Sequence, residues 1–337
     1  MVGPTVSAGY ANALTDLAVS RGASRPTLLD RSGINPGDLL DQDNRIPFER
    51  FKALMRAAKA LCDDPALALH FGETSLFTEM SIVGLISYAS ETMGEAFTQL
   101  NRYGRLVIEV DDGDSTDRFA TVPSPDGAWL EDRRTNPNDF PELTESTLAR
   151  FVCDCARLFP DTPLAKAVHV THARPSHHAE YSRIFKAPVV FDSDRNALLI
   201  DSSWPYRKIG GSSRYVFGIF SERAAALLKS QENAKTAKGR VESMLIPILH
   251  TGETGMERVA KTMGLSRPTL YRQLKAEGVR YEILLDGLRH KMALHYLDGK
   301  KVSVSQTAYL VGFADPSAFS RAFKRWTGSS PGQRRES

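Results

Sequence analysis

Two stretches near the carboxyl end repeat one arrangement of small, apolar and basic residues. The first covers Ala260–Lys275 and the second covers Ala308–Lys324, which begins 48 residues further along. Each has an alanine, three residues, a glycine and an apolar residue, followed by a helical pattern that carries basic residues such as Arg272 and Arg321. Guanidinium and ammonium groups donate hydrogen bonds to base edges and phosphates, so the chemistry of this pattern is recognition of a polyanion.

The spacing predicts a helix, a tight turn and a second helix in each copy. Gly264 and Gly312 stand where a left-handed turn is needed, and Ser266 and Asp315 can cap the following helix. Pro268 lies in the first turn of its helix, where a missing N–H costs little. An ordinary helical hairpin has the same pattern, but two copies favour paired helix-turn-helix units.

The charge distribution and the segment between the copies agree with this interpretation. Residues 239–337 hold 16 Lys/Arg and 9 Asp/Glu, a net charge of +7, whereas the remaining residues have a net charge of −4. Tyr281–Leu297 predicts one helix, about 25 Å long at ~1.5 Å per residue. A rod of this length can hold two recognition helices in successive major grooves, because one turn of the duplex is ~34 Å.

Residues 240–337 therefore resemble the DNA-binding domain of the AraC/XylS family of bacterial transcription regulators. The likeness is carried by Val259–Gly278 and, more strongly, by Ser305–Pro331. Two positions depart from the family pattern: Thr307 replaces an aliphatic residue, and Arg334 replaces an aromatic residue that usually precedes the final arginine. These departures concern the packing of the last turn rather than the identity of the domain.

The resemblance assigns side chains of both second helices to DNA. Those expected to face base edges are Arg267, Pro268, Tyr271 and Arg272 in one groove, and Pro316, Ser317, Ser320 and Arg321 in the next. Those expected to contact phosphates are Lys275, Lys324, Arg325 and Arg335.

The first part of the chain predicts an α+β domain that is mostly helical and contains a small β-meander. Expected helices include 48–62, 140–159 and 214–229. The meander is expected at Arg105–Val110, Arg118–Val122 and Ala128–Glu131, with a turn at 111–114, and further short strands are expected at 167–171, 189–191 and 197–200. The polar stretch Ser230–Gly239 predicts a linker, so residues 1–229 form the first domain and 240–337 an all-α second domain in which a linker helix joins the two helix-turn-helix units.

The first domain resembles the large N-terminal sensor domain of the ornithine-utilisation and VirS-like branch of the family. Segments 45–58, 92–103 and 191–201 carry this likeness. The resemblance implies ligand sensing and self-association by this domain, and activation of transcription more often than repression. The implied partners are promoter DNA, RNA polymerase, a small-molecule effector and a second copy of the chain.

Other functions find less support in the sequence. Cys153 and Cys155 lie on different faces of a helix, and His169, His172, His177 and His178 lack a regular metal-ligand spacing, so we expect no metal site. No GxGxxG, Walker or GxSxG motif stands in a strand–turn–helix setting, so we expect no cofactor and no catalytic residue. His177 and His178 are expected at an exposed helix start. No run of about 18 apolar residues is present, which indicates no membrane partner. Three cysteines in 337 residues indicate the reducing cytoplasm. The alternatives are an enzyme, or an architectural protein without an effector, that carries the same DNA-binding domain.

For the effector we expect an enclosed, mostly apolar pocket of more than ~300 Å³ in the first domain. An acidic ligand would need a basic anchor. Four arginines lie at the expected junction of helix and meander: Arg102, Arg105, Arg133 and Arg134.

Overall fold

The chain forms two compact units in the computed structural model, which describes residues 3–110, 117–299 and 302–336. The first unit is Met1–Leu228 and the second unit is Lys229–Ser337. The stretch Ser230–Gly239, expected to be a linker, is helical on both sides of Thr236. Its alanine, lysine, glutamate and glutamine residues favour helix even without an apolar face.

The first unit is mostly helical, as its sequence predicts. In α3, for example, Phe51, Leu54, Met55 and Ala58 are buried on one face, which confirms the expected amphipathic helix. Its described helices are α1 (Ala8–Ser20), α2 (Arg25–Ser32), α3 (Phe48–Leu61), α4 (Leu67–Thr74), α5 (Phe77–Met80), α6 (Ile82–Ala89), α7 (Met93–Tyr103), α8 (Pro141–Leu158), α9 (His178–Phe185) and α10 (Arg214–Lys235), the last of which continues past Leu228.

Seven described strands form two small sheets in the first unit. They are β1 (Thr5–Ser7), β2 (Arg45–Pro47), β3 (Phe119–Ser124), β4 (Gly127–Asp132), β5 (Ala165–His169), β6 (Val189–Val190) and β7 (Ala197–Ile200). β1 and β2 pair with each other, and the other five form one sheet in the order β3-β4-β7-β5-β6. All neighbours in this sheet are antiparallel except β5 and β6, which are parallel.

The expected meander is confirmed for two strands and wrong for the third. β3 and β4 form the predicted hairpin, with Phe119 opposite Asp132. Arg105–Val110 is not a meander strand, because Gly104–Leu106 is a 3-10 turn and Ile108 makes an isolated bridge to Val6. The turn expected at 111–114 lies outside the described residues.

Helix α8 connects the two apolar cores of the first unit. Its Leu143 packs in the cluster formed by the N-terminal helices, and its Leu148 and Ala149 pack in the cluster under the five-stranded sheet. Helices α4 and α7 also contribute residues to both clusters, so several helices hold the helical layer and the sheet together.

The second unit consists of helices in its described residues. They are α11 (Ala237–Ile248), α12 (Met256–Thr262), α13 (Arg267–Ala276), α14 (Tyr281–Asp298), α15 (Val304–Leu310), α16 (Pro316–Thr327) and α17 (Pro331–Glu336). One apolar cluster includes residues of α11 to α16, so this unit has its own core.

Candidate nucleic-acid interface

Helices α12 and α13 form the first predicted helix-turn-helix. Gly264 has a φ of 68°, and its N–H donates to Lys261 O at 3.0 Å. Ser266 caps α13, because its Oγ accepts a hydrogen bond from the Thr269 N–H at 3.3 Å. The turn and the cap both agree with the sequence prediction.

Helices α15 and α16 repeat this arrangement. Gly312 has a φ of 82°, and its N–H donates to Tyr309 O at 3.0 Å. The Asp315 carboxylate accepts hydrogen bonds from the N–H groups of Ser317 at 3.1 Å and Ala318 at 2.9 Å. These bonds lower the pKa of Asp315, so the cap is an anion at the positive end of α16.

The apolar sides of both second helices are buried in the common core. Leu270 and Leu274 of α13 and Phe319 and Phe323 of α16 have at most 1% of their surface exposed. Because these residues face inward, the helices must present their other side to solvent.

All five side chains assigned to DNA on α13 are exposed, and they line one open groove with a volume of about 780 Å³. They are Arg267, Pro268, Tyr271, Arg272 and Lys275. Arg280, which precedes α14, lines the same surface and was not expected from the sequence. Its position in the turn after α13 is the only sequence signal that could have indicated it.

The residues assigned on α16 differ in exposure. Ser317, Arg321 and Lys324 are exposed, whereas Pro316 and Ser320 are half-buried. The Ser320 hydroxyl donates to Pro316 O at 2.9 Å within the helix. Arg321 and Lys324 are thus long, exposed donors on α16.

The remaining assigned phosphate contacts are Arg325, in the last turn of α16, and Arg335 on α17. Arg325 Nη2 donates to Asp286 Oδ2 of α14 at 2.8 Å, so this arginine is already engaged in an ion pair. Arg335 is exposed on α17. Its neighbour Arg334 donates to both carboxylate oxygens of Asp298, at 2.9 and 3.1 Å.

The two departures from the family pattern have local explanations. Thr307 is fully buried, and its hydroxyl donates to Ser303 O at 2.9 Å, so the polar atom is satisfied. The double contact of Arg334 with Asp298 connects α17 to α14 without an aromatic side chain.

Helix α14 lies between the two helix-turn-helix units and contacts both. Arg289 donates weakly to Thr254 Oγ1 at 3.4 Å, ahead of α12, and to Gly312 O at 3.5 Å in the second turn. Its guanidinium also lies 5.0 Å from the centre of the Phe313 ring. Burial lowers the pKa of Arg289. The Arg289 side chain therefore helps to set the orientation of the first helix-turn-helix relative to the second.

A carboxylate from the end of α13 caps helix α11. Glu277 accepts hydrogen bonds from the N–H groups of Ala237 at 2.6 Å and Lys238 at 2.9 Å. Sequence reasoning missed this contact, because the partners are about 40 residues apart and neither has a distinctive local pattern.

The first unit has a cavity at the junction of α7, α8 and β3, close to the region in which the sequence analysis expects basic anchors for an effector. Its volume is about 90 Å³ and it is partly open, so the expectation of an enclosed pocket above ~300 Å³ is wrong here. Of the four arginines expected as anchors, Arg105 lines it and the others do not. Arg134 is buried and donates to Phe140 O at 3.5 Å, while Arg102 and Arg133 are exposed.

The cysteines and histidines contribute to packing. Burial raises the pKa of both Cys153 and Cys155. His177 begins α9 as expected, but it is half-buried rather than exposed, because its Nε2 lies 2.8 Å from Glu145 Oε1. The Tyr181 hydroxyl donates to the same oxygen at 2.6 Å. Within residues 3–110, 117–299 and 302–336, no three His, Cys, Asp or Glu side chains are placed to hold a metal ion.

A membrane span is also absent from the described part of the chain, where every helix is too short or too polar to cross a bilayer.

Comparisons with known proteins agree with the geometry of both units. A family model described as the arabinose-binding domain of AraC transcription regulators, N-terminal, matches residues 22–209. A helix-turn-helix domain model matches residues 259–337, which contain both repeated turns.

Similar proteins align with nearly the whole chain. The ornithine utilization regulator of Pseudomonas aeruginosa is 28% identical, over 98% of this chain and 96% of its own length. The transcriptional regulator VirS of Mycobacterium tuberculosis is 25% identical, over 95% of this chain and 93% of its own. A crystal structure of the transcriptional regulator CdpR from Pseudomonas aeruginosa covers 93% of this chain and 96% of its own, with 20% identity and a TM-score of 0.41. The chain belongs to the AraC/XylS family, and it is a DNA-binding transcription regulator and not an enzyme.

Proposed function

We propose that the second unit reads a promoter by placing α13 and α16 in successive major grooves, and that a small molecule bound to the first unit controls this binding. The observation that supports the proposal is the equivalence of the two turns at Gly264 and Gly312, each followed by a capped helix with a buried apolar side and an exposed basic side. Helix α14 has 18 residues and is about 27 Å long, which is comparable with the ~34 Å turn of the duplex.

Base reading is assigned to the exposed donors on the solvent side of each second helix. Arg272 and Arg321 have long, exposed guanidinium groups that can bind guanine O6 and N7 together. The other proposed base contacts are Arg267, Pro268, Tyr271, Pro316, Ser317 and Ser320. Pro316 and Ser320 are half-buried, so they would touch the bases through van der Waals contact and would not extend a long hydrogen-bond donor into the groove.

Phosphate binding is assigned to Lys275, Lys324, Arg325 and Arg335. Three of them have no ion pair among the described residues, and Arg325 would exchange the Asp286 carboxylate for a phosphate oxygen. Such an exchange replaces one charged acceptor by another, so it does not leave the guanidinium unpaired.

Regulation is assigned to the first unit. We propose residues 1–229 as the sensing and self-association domain, 230–239 as the connection and 240–337 as the DNA-binding domain. Large apolar side chains exposed on the first unit support self-association, notably Tyr206, Tyr215 and Ile219. We further propose that the regulator activates transcription by contact with RNA polymerase.

The experiment combines selection of genomic fragments by the purified full chain with transcription in vitro from the selected promoters. A broad panel of metabolites is tested for effectors, and it includes L-ornithine and L-arabinose because one relative regulates ornithine utilization and the matched first-domain model is described as arabinose-binding. We expect a defined site with two half-sites about one helical turn apart, and transcription that increases when an effector is added.

Each part of the proposal can fail separately in this experiment. Fragments bound without a common sequence would contradict base reading. A defined site with transcription that no metabolite changes, across a broad panel, would favour the architectural alternative.

A further inference from the structure

The cavity of the first unit has an apolar wall built from distant parts of the chain. Tyr10 of α1, Phe77 of α5, Leu100 of α7, and Leu143 and Phe151 of α8 all line it. These side chains offer an apolar ligand dispersion contacts and removal from water, but almost no hydrogen-bond partners. Against this wall, a sugar or another polyol would lose its hydrogen bonds to water without replacement.

One wall of this cavity contains a buried guanidinium with an unused donor. Arg150 of α8 lines the cavity and has 5% of its surface exposed. Its Nη1 donates to Ser75 O at 3.1 Å, and its Cζ lies 5.1 Å from the centre of the Phe71 ring. Its Nη2 is buried and has no hydrogen-bond partner. A charged donor left unsatisfied in an apolar setting is costly, so this nitrogen is suited to an external acceptor.

Two other charged groups in the wall are already engaged in ion pairs. Arg118 donates to Asp132 through Nε at 3.0 Å and Nη2 at 2.7 Å, so one edge of its guanidinium is already bound to a carboxylate. The Asp154 carboxylate accepts from Arg157 at 2.6 Å. Arg105 also lines the cavity, so its wall contains three arginines and one carboxylate. This excess of positive charge favours the binding of an anion and disfavours the binding of a cation.

We propose that this cavity binds a small monocarboxylate with an apolar body, and that Arg150 Nη2 donates to its carboxylate. The inference rests on the proposed function, since it names the class of effector that the first unit senses. A space of about 90 Å³ admits about six to nine non-hydrogen atoms at ~10–15 Å³ each, which is the size of a six-carbon acid.

The test measures binding to the full chain by isothermal titration calorimetry with hexanoate and with hexanamide. The two probes have the same length and number of non-hydrogen atoms, but only hexanoate carries a charge. Because charge-assisted hydrogen bonds are about twice as strong as neutral ones, hexanoate should bind at least about tenfold more tightly.

Variants then locate the carboxylate. Arg150→Met keeps the apolar stem without the guanidinium and should weaken hexanoate binding about tenfold or more, while Arg150→Lys should recover part of the loss because it restores the charge. Leu100→Phe should weaken both probes by filling the space while leaving Arg150 in place. Arg207→Lys is the control: this arginine lies over the Trp204 ring in the first unit and does not line the cavity, so hexanoate affinity should not change.

Circular dichroism and the melting temperature of each variant establish whether the first unit is folded. If Arg150→Met is unfolded, Arg150→Lys and Leu100→Phe still decide the result. Equal affinities for hexanoate and hexanamide, no binding of either probe, or wild-type hexanoate affinity in a folded Arg150→Met protein would overturn the assignment. Tighter binding of norleucine, which adds an ammonium group, would also overturn it. Hexanoate binding that leaves promoter binding and transcription unchanged would instead contradict the proposed regulation and leave the site in place.

Discussion

A Cβ atom at Gly312 would lie 2.3 Å from the carbonyl oxygen of Leu249, whereas a Cβ atom at Gly264 would meet no atom within 4 Å. Both glycines have positive φ and hold equivalent turns. The second turn is therefore restricted twice, by its backbone conformation and by the close approach of the segment that follows α11.

This difference predicts unequal effects of the same substitution. Gly264→Ala should destabilise the second unit by about 1–2 kcal/mol, the usual cost of a left-handed conformation with a Cβ atom. Gly312→Ala should cost about 1–3 kcal/mol more, because the backbone around Leu249 must also shift. Urea unfolding of residues 229–337, followed by circular dichroism, measures both. Equal losses would contradict the close approach.

The autonomy of the second unit is itself a prediction. The apolar cluster of this unit draws on α11 to α16 and has its first and last fully buried members at Ala237 and Phe323. A fragment of residues 229–337 should therefore fold, show a helical circular dichroism spectrum and bind DNA without an effector. An unfolded fragment, or one without affinity for DNA, would show that the boundary or the independence of the unit is wrong.

The cap that Glu277 provides to α11 should stabilise the second unit measurably. Glu277→Gln removes the negative charge and one acceptor from the N-terminus of α11 and should cost about 0.5–2 kcal/mol in the same urea assay. Glu242→Gln removes an equal charge from the interior of α11 and serves as the control. A loss no greater than that of the control would indicate that the two hydrogen bonds contribute nothing.

The Asp315 cap should make the second unit sensitive to acid. Its folded pKa is lowered, chiefly by the hydrogen bond from the Ser317 N–H, below the ordinary value of ~3.9. Its stabilising effect is therefore complete above about pH 4 and is lost as the pH falls through the lower folded pKa. In Asp315→Asn, the free energy of unfolding measured with urea should therefore fall less between about pH 5 and pH 2 than it does in the wild-type protein. Ser266→Ala removes the equivalent cap, which does not titrate, so its cost of about 1 kcal/mol should be the same at every pH.

The features that the sequence predicted best are those set by local residues. Gly264 and Gly312 take the expected left-handed conformation, and Ser266 and Asp315 make the expected caps, because each involves residues within a few positions of one another. β3 and β4 were predictable for the same reason, since a short turn joins them.

Features that depend on distant partners could not be predicted. Arg105–Val110 has a strand-like composition, but it does not pair with the hairpin of β3 and β4. Its Ile108 forms an isolated bridge with Val6, about 100 positions away. Arg150 gave no signal in the sequence, because the cavity that it lines is formed by helices as distant as α1 and α8.

The central claim is that Arg272 and Arg321 read bases while Lys324 binds the phosphate backbone. The most direct measurement is the affinity of the full chain for its selected site and for unrelated DNA across a salt series, for Arg272→Ala, Arg321→Ala and Lys324→Ala. Each arginine variant should lose ~1–3 kcal/mol of binding to the selected site with a smaller loss on unrelated DNA. Lys324→Ala should weaken both DNAs alike and reduce the salt slope by about one. Equal losses on both DNAs for Arg272→Ala and Arg321→Ala would contradict the claim.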